Sequence, residues 1–380
     1  MSVNRIKVAN TIWQWILSTI VLSDEQKSAL HNWSDGIKTP TFIQLENLSK
    51  KINIPFGYFF LKNPPAEEYV LLKYRTVDSL SLKTPSRNLL DIIRQMENTQ
   101  EWMHEHLIIN GADKINFVGD INPNDDVISV TKKIRLLLDI EKNWYENSTS
   151  LTCSYNLLKK AINDVGIIIM MTGIVGNNTK RKLNIEEFRA FTLIDDYAPL
   201  IFINSIDSIS GKIFSLLHEL VHIGIAKDSF YDSNIYEYPL MSAIETFCNG
   251  VTAEILAPMD LFIENWYKKT YDNQKKIIEL SNYFKCSKIV IARRAYDNRL
   301  IKDTEYASVV MESNKGFVNK KNSGGHYYKT QATRIDHRFL LALDSSVKEG
   351  KTLYSDAFRL TNTNRNTFDN LVMELRGERN

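Results

Sequence analysis

Apolar positions along most of the chain recur at helical spacing, interrupted once by short runs that read as strands. Residues 8–23 carry no charge, and Ile12, Trp13, Ile16, Leu17 and Ile20 predict a core helix. The stretch is shorter than the roughly 20 residues of a membrane span, and Asn10, Gln14, Ser18 and Thr19 interrupt it. Ser23-Asp24-Glu25-Gln26 and Thr41-Phe42-Ile43-Gln44 both have the form of a capping box. Leu45, Leu48 and Ile52 follow the second box at helical spacing. Asp35-Gly36 reads as a turn, Pro55 as a helix stop and Pro64-Pro65 as a boundary. Residues 1–65 therefore read as a small helical bundle.

Residues 66–150 read as helical connecting structure. One long helix follows Thr84-Pro85, through Leu89, Ile92, Ile93, Met96 and Trp102. A second follows Asn122-Pro123, with Val127, Val130, Ile134 and Leu137 on one face. His104 and His106 are two apart and point to different helix faces, which reads as surface. From residue 151 the pattern changes. A helix ends at Asp164 before Gly166. Ile167–Met171, Arg189–Ile194 and Pro199–Ile203 read as short strands. A helix over 211–225 and another over 242–256 follow, and helical patterns continue through Tyr306. Residues 278–300 have either a helix-turn-helix rhythm or the character of core support. The segment 318–380 reads as a helical C-terminal region, with Ile335, Phe339, Leu343 and Val347 in register and Gly350 as the stop.

Composition is that of an ordinary globular protein. Of 380 residues, 47 are Lys or Arg and 45 Asp or Glu, a balance that makes no global case for nucleic acid. Three well-separated cysteines, Cys153, Cys248 and Cys286, exclude a disulfide framework and a CxxC zinc site, and fit a reducing, cytoplasmic setting.

The chemistry concentrates in His218-Glu219-Leu220-Val221-His222. Histidines four apart lie one turn apart on the same helix face, so both imidazoles can reach one zinc ion (Zn2+). Zinc lowers the pKa of a bound water toward about 7 and polarises a carbonyl. Glu219 sits beside the metal as the general base of such a reaction. Ile213, Phe214, Leu216, Leu217, Leu220 and Val221 make the helix a buried one, where titratable residues rarely enter. A catalytic zinc needs a third protein ligand. Asp228 serves if the chain turns sharply after His222, although Gly224 stands one place early for such a turn. Glu245 serves if the next helix packs alongside. Ser242-Ala243-Ile244-Glu245 is also a capping box, in which Glu245 only caps its own helix. Glu237 and Glu254 read as solvated. His326, after Gly324-Gly325, is a candidate oxyanion stabiliser.

Residues from about 151 to 310 resemble the ImmA/IrrE metallopeptidases. The likeness rests on Phe188-Arg189-Ala190-Phe191, on residues 199–204 and 214–222, and on Glu245-Thr246-Phe247-Cys248-Asn249 running to Pro258. It implies a zinc endopeptidase with His218, His222 and Glu245 as ligands, a gluzincin-like set, and Glu219 as base. Cys248 stands where alanine is usual, and Val221 where glycine is common. Residues 1–65 resemble the XRE-type helix-turn-helix region of longer members, through Trp33, Gly36, Pro40-Thr41, Gln44-Leu45-Glu46 and Ile54-Pro55. That implies DNA binding. The seven basic and four acidic residues of this region leave only a weak electrostatic footprint, so protein docking stands beside it.

The expected fold is α+β and mostly helical, a small zincin-like core with a short sheet, flanked by helical domains at 1–65, 66–150 and 318–380. The expected function is cleavage of a regulatory protein, a repressor or antitoxin on the family resemblance. The rival is a regulator that binds DNA or a toxin partner around an idle zinc site.

Overall fold

A computed structural model of the chain describes residues 5–20, 22, 24–52, 54–65, 73–74, 85–225, 238–270, 272–315 and 331–377. It divides into two units, Met1–Leu71 with Ser81–Ile93, and Leu72–Leu80 with Arg94–Asn380.

In the first unit, helices α1 (Asn10–Thr19), α2 (Asp24–Ser34) and α3 (Phe42–Ile52) precede a 3₁₀ turn at Phe56–Phe60. Ile12, Trp13, Ile16, Leu30, Leu45, Leu48 and Phe59 form its core. The box at Thr41 closes in both directions: Gln44 N–H donates to Thr41 Oγ1 at 3.2 Å, and Thr41 N–H to Gln44 Oε1 at 2.8 Å. Gly36 takes φ +73° just past α2, a left-handed conformation that glycine adopts freely. Ser23, the cap of the other expected box, lies outside the described residues.

The second unit is built around a short sheet of β1 (Lys73–Tyr74), β2 (Ile168–Thr172), β3 (Ala190–Leu193) and β4 (Leu200–Asn204), in the order β1-β3-β4-β2. β2 and β4 are parallel, whereas β3 runs antiparallel to β4 and to β1. Helices carry the rest. α4 (Arg87–Ile109), whose residues through Ile93 belong to the first unit, α5 (Val127–Leu137) and α6 (Leu151–Asp164) come before β2. α7 (Ile209–Ile225), α8 (Tyr238–Leu256), α9 (Met259–Tyr267), α10 (Asn273–Tyr283), α11 (Lys288–Asp297) and α12 (Asp303–Lys315) follow β4. α7 packs against the sheet, α6 and α8. The fold is thus mostly helical, with a small sheet under the helix that carries the two histidines.

Leu280, Phe284, Ile291 and Ala292 belong to the same core cluster as Leu216, Leu217 and Leu220, so residues 278–300 support that core. α13 (His337–Lys348), α14 (Tyr354–Thr361) and α15 (Arg365–Arg376) complete the unit. Asp336, fully buried, caps α13 through Phe339 N–H and also accepts from Ile169 N–H of β2 at 3.0 Å. Met171 N–H donates to Arg334 O at 2.9 Å, so this segment covers the outer edge of β2.

His104 and His106 depart from the surface reading. Both are half-buried: His104 pairs with Asp195 at 2.8 Å, and His106 stacks on Trp102 with ring centroids 5.1 Å apart. Their partners come from a distant loop and from the next turn of α4, which spacing alone does not reveal. No described helix is long and apolar enough to cross a membrane.

Candidate metal centre

α7 is pinned at both ends. Before it, Asp207 is buried and accepts from Arg189 Nη1 at 2.8 and 2.9 Å, which ties the start of the helix to the residue that precedes β3. A Cβ on Gly211 would come within 2.5 Å of the Asp207 carboxylate, so only glycine lets the helix approach it. At the other end, Gly119 N–H and Ile121 N–H donate to the carbonyls of Ile223 and Gly224 at 3.1 and 2.8 Å. A Cβ on Gly224 would meet Ile121 Cδ1 at 2.4 Å. Gly224 therefore serves close packing, and the helix continues through Ile225 with no sharp turn after His222. Asp228, Glu237 and His326 lie outside the described residues.

Every residue from Ser215 to Ile225 is buried, including His218, Glu219 and His222. α8 begins at Tyr238, a turn earlier than its apolar pattern predicts, so Ser242 and Glu245 lie inside the helix. That corrects the capping-box alternative, because Glu245 is too far from the helix start to cap it. Its carboxylate instead faces α7, with Oε2 3.2 Å from His218 Nε2 and Oε1 3.2 Å from His222 Nε2. The two Nε2 atoms are 3.1 Å apart. Ligand atoms of the three residues lie within 4.8 Å of one another, a group able to hold a metal ion.

The donor set fits zinc. Zn–N bonds of about 2.0–2.1 Å in a tetrahedron place neighbouring donors about 3.3 Å apart. The separations of 3.1, 3.2 and 3.2 Å are close to that edge. Two imidazoles and one carboxylate are also the donor types of open zinc sites. Glu245 keeps 41% of its side chain exposed, while His218 is fully covered.

Electrostatics ties the three together without a metal. Burial alone would lower the His222 pKa, but Cys248 and Glu245 beside it win and push it up to about 10. Burial works to raise Glu245, but hydrogen bonds from His218 and His222 hold its carboxyl well below the usual carboxylate range.

Two neighbours escape the sequence pattern. Cys248 Sγ lies 3.8 Å from His222 Nδ1, behind the face that meets Glu245. It is three residues past Glu245 on the same helix face, a spacing that carries the signal. Thr192 Oγ1 of β3 donates to Glu219 Oε2 at 2.9 Å. A lone hydroxyl in an otherwise apolar strand is its only sign in the sequence. Glu254, expected in solvent, is buried instead. It pairs with Arg294 at 2.7 Å and accepts from Met259 N–H, contacts supplied by the start of α9 and by α11.

A family model described as the IrrE N-terminal-like domain matches residues 165–296, and one described as a domain of unknown function matches residues 335–374. Residues 165–296 are thus homologous to the IrrE/ImmA peptidase-like domain, and they contain all three members of the cluster. No curated protein and no solved structure is significantly similar to the chain.

Proposed function

We propose that the protein is a zinc-dependent endopeptidase. The observation that supports this most directly is the convergence of His218, His222 and Glu245, with Glu219 on the same buried helix inside the IrrE-like segment. In this reading His218, His222 and Glu245 hold the metal and Glu219 does not. Bound zinc would supply a Lewis acid for the scissile carbonyl and an acidified water. Glu219 accepts the proton of the attacking water and returns it to the leaving amine. The burial of α7 keeps bulk water from the carboxylate, and the exposed side of Glu245 leaves an approach for a peptide.

The substrate we propose is a regulatory protein of the repressor or antitoxin kind, by analogy with the ImmA/IrrE resemblance. Residues 1–65 would then be an XRE-like module engaging DNA or a partner protein, ahead of a connecting region to residue 150, the peptidase core at 151–310 and the C-terminal helices. A cytoplasmic site of action accompanies that reading. Glu219→Gln is the test. It should retain zinc, lose activity by roughly 10²-fold or more, and trap the substrate in its native cells. A partner cleaved equally well by Glu219→Gln would mean that Glu219 is not the base or that another protease is at work, and no cleavage by the native protein would return the chain to the rival reading, a DNA- or toxin-binding regulator with an idle metal site.

A further inference from the structure

We propose that Thr192 is the positioning residue of this site, holding the Glu219 carboxylate in the orientation its proton-accepting role requires; the proposal rests on the peptidase reading. β3 reads Ala190-Phe191-Thr192-Leu193, and all four residues are buried. A hydroxyl buried in such a strand is costly unless it finds a hydrogen-bond partner. Thr192 Oγ1 has two acceptors within reach. The carboxylate Oε2 of Glu219 is at 2.9 Å and the Glu219 carbonyl at 3.4 Å. A hydroxyl has one proton to donate, and the carboxylate is the closer acceptor.

Both partners stand on elements held by further contacts. Thr192 is paired across the sheet with Ile201 of β4 and with Lys73 of β1. Its β-branched side chain has few rotamers. α7 is held by Asp207 at one end and by Gly119 and Ile121 at the other. Glu219 needs such a holder. It follows His218 directly, so it leaves the helix about 100° away from the ligand's direction. Nothing in metal ligation sets its three side-chain torsions.

Thr192→Val keeps the shape of the side chain and removes the hydroxyl, whereas Thr192→Ser keeps the hydroxyl. The assay uses full-length, zinc-loaded protein and a randomised library of quenched fluorescent peptides. Thr192→Val should lower kcat about tenfold or more, with KM and bound zinc unchanged, and Thr192→Ser should recover it to within about threefold. In metal-free protein, Thr192→Val should lower the urea midpoint in the native background and much less in Glu219→Ala, because the two groups share one bond. A Thr192→Val protein with native kcat, a Thr192→Ser protein no better than Thr192→Val, or additive midpoints would each overturn the assignment and leave the peptidase reading standing. No hydrolysis by the native zinc protein, with the midpoints still coupled, would sink the peptidase reading and the positioning role with it.

Discussion

α8 carries two glutamates that face other helices, Glu245 in its middle and Glu254 near its C-terminal end, and the two are in opposite states. Glu254, near the C-terminal end, is enclosed: Arg294 pairs with its carboxylate at 2.7 Å, Met259 N–H caps it, and Arg135 donates to its carbonyl. Its charge is answered by a permanent cation. Glu245 faces two imidazoles at 3.2 Å each and keeps 41% of its side chain exposed. An imidazole is a cation only while protonated, and a metal can take the proton's place. One carboxylate completes a buried ion pair, and the other belongs to a group able to hold a metal ion. The same residue type on one helix takes either role according to what the neighbouring helix offers it.

The largest effect should separate the two glutamates by metal. Glu245→Gln should weaken zinc binding by more than about 100-fold, since on the proposed ligand set it replaces a charged ligand of a three-ligand site with a neutral one. Glu254→Gln should leave zinc per folded molecule unchanged, and elemental analysis with chelator competition reads both. Equal zinc in the two variants would erase the contrast.

Stability should reverse the order. Glu254→Gln leaves Arg294 buried beside a neutral partner, at a cost of about 3 kcal/mol in chemical denaturation. A loss that is larger for Glu245→Gln than for Glu254→Gln, both measured without metal, would show that the enclosed pair is not the structural one.

A pH series sharpens the difference further. The His222 pKa is raised from 6.5 to about 10, so its stabilising contribution to the metal-free protein is complete below pH 6.5 and lost as pH rises toward 10. The Glu245 pKa is depressed from 4.5, so its contribution is present above pH 4.5 and lost on acidification below that. The metal-free pair therefore contributes most between pH 4.5 and 6.5. Zinc must displace the His222 proton, so its affinity should rise about tenfold per pH unit from neutrality upward. Metal-free stability should fall over the range where zinc affinity climbs. A flat zinc affinity from pH 6.5 to 8.5 would contradict the raised imidazole.

The smallest change should come from Cys248→Ala. Cys248 helps to hold the His222 pKa up, so its removal should shift the midpoint of zinc release to lower pH while zinc affinity at high pH changes by less than about tenfold. Cys248→Ser, which keeps a polar group near Nδ1, should lie between the two.

Local features of the site are legible in the amino-acid order alone. Helical periodicity places His218 and His222 on one face, whatever surrounds them, because 3.6 residues per turn is a property of the backbone. The capping box at Thr41 and Gln44, the turn at Gly36 and the stop at Gly350 are readable for the same reason: their partners lie within five residues. Spacing leaves Glu245 between two roles, since a capping box and a ligand share one spelling. Only the earlier start of α8 removes the cap, and only the packing of α8 on α7 turns the carboxylate toward the histidines. Glu254 reads as solvated in the sequence because Arg294 lies 40 residues away. Thr192 shows only a lone hydroxyl in an apolar strand, and its role stays hidden because its partner is 27 residues further on, across a sheet-to-helix contact. The chain's own order determined which residues can meet within a turn of helix, through fixed backbone geometry. Which distant residues meet was decided by the burial of apolar faces, which brings strands and helices together without regard to separation along the chain.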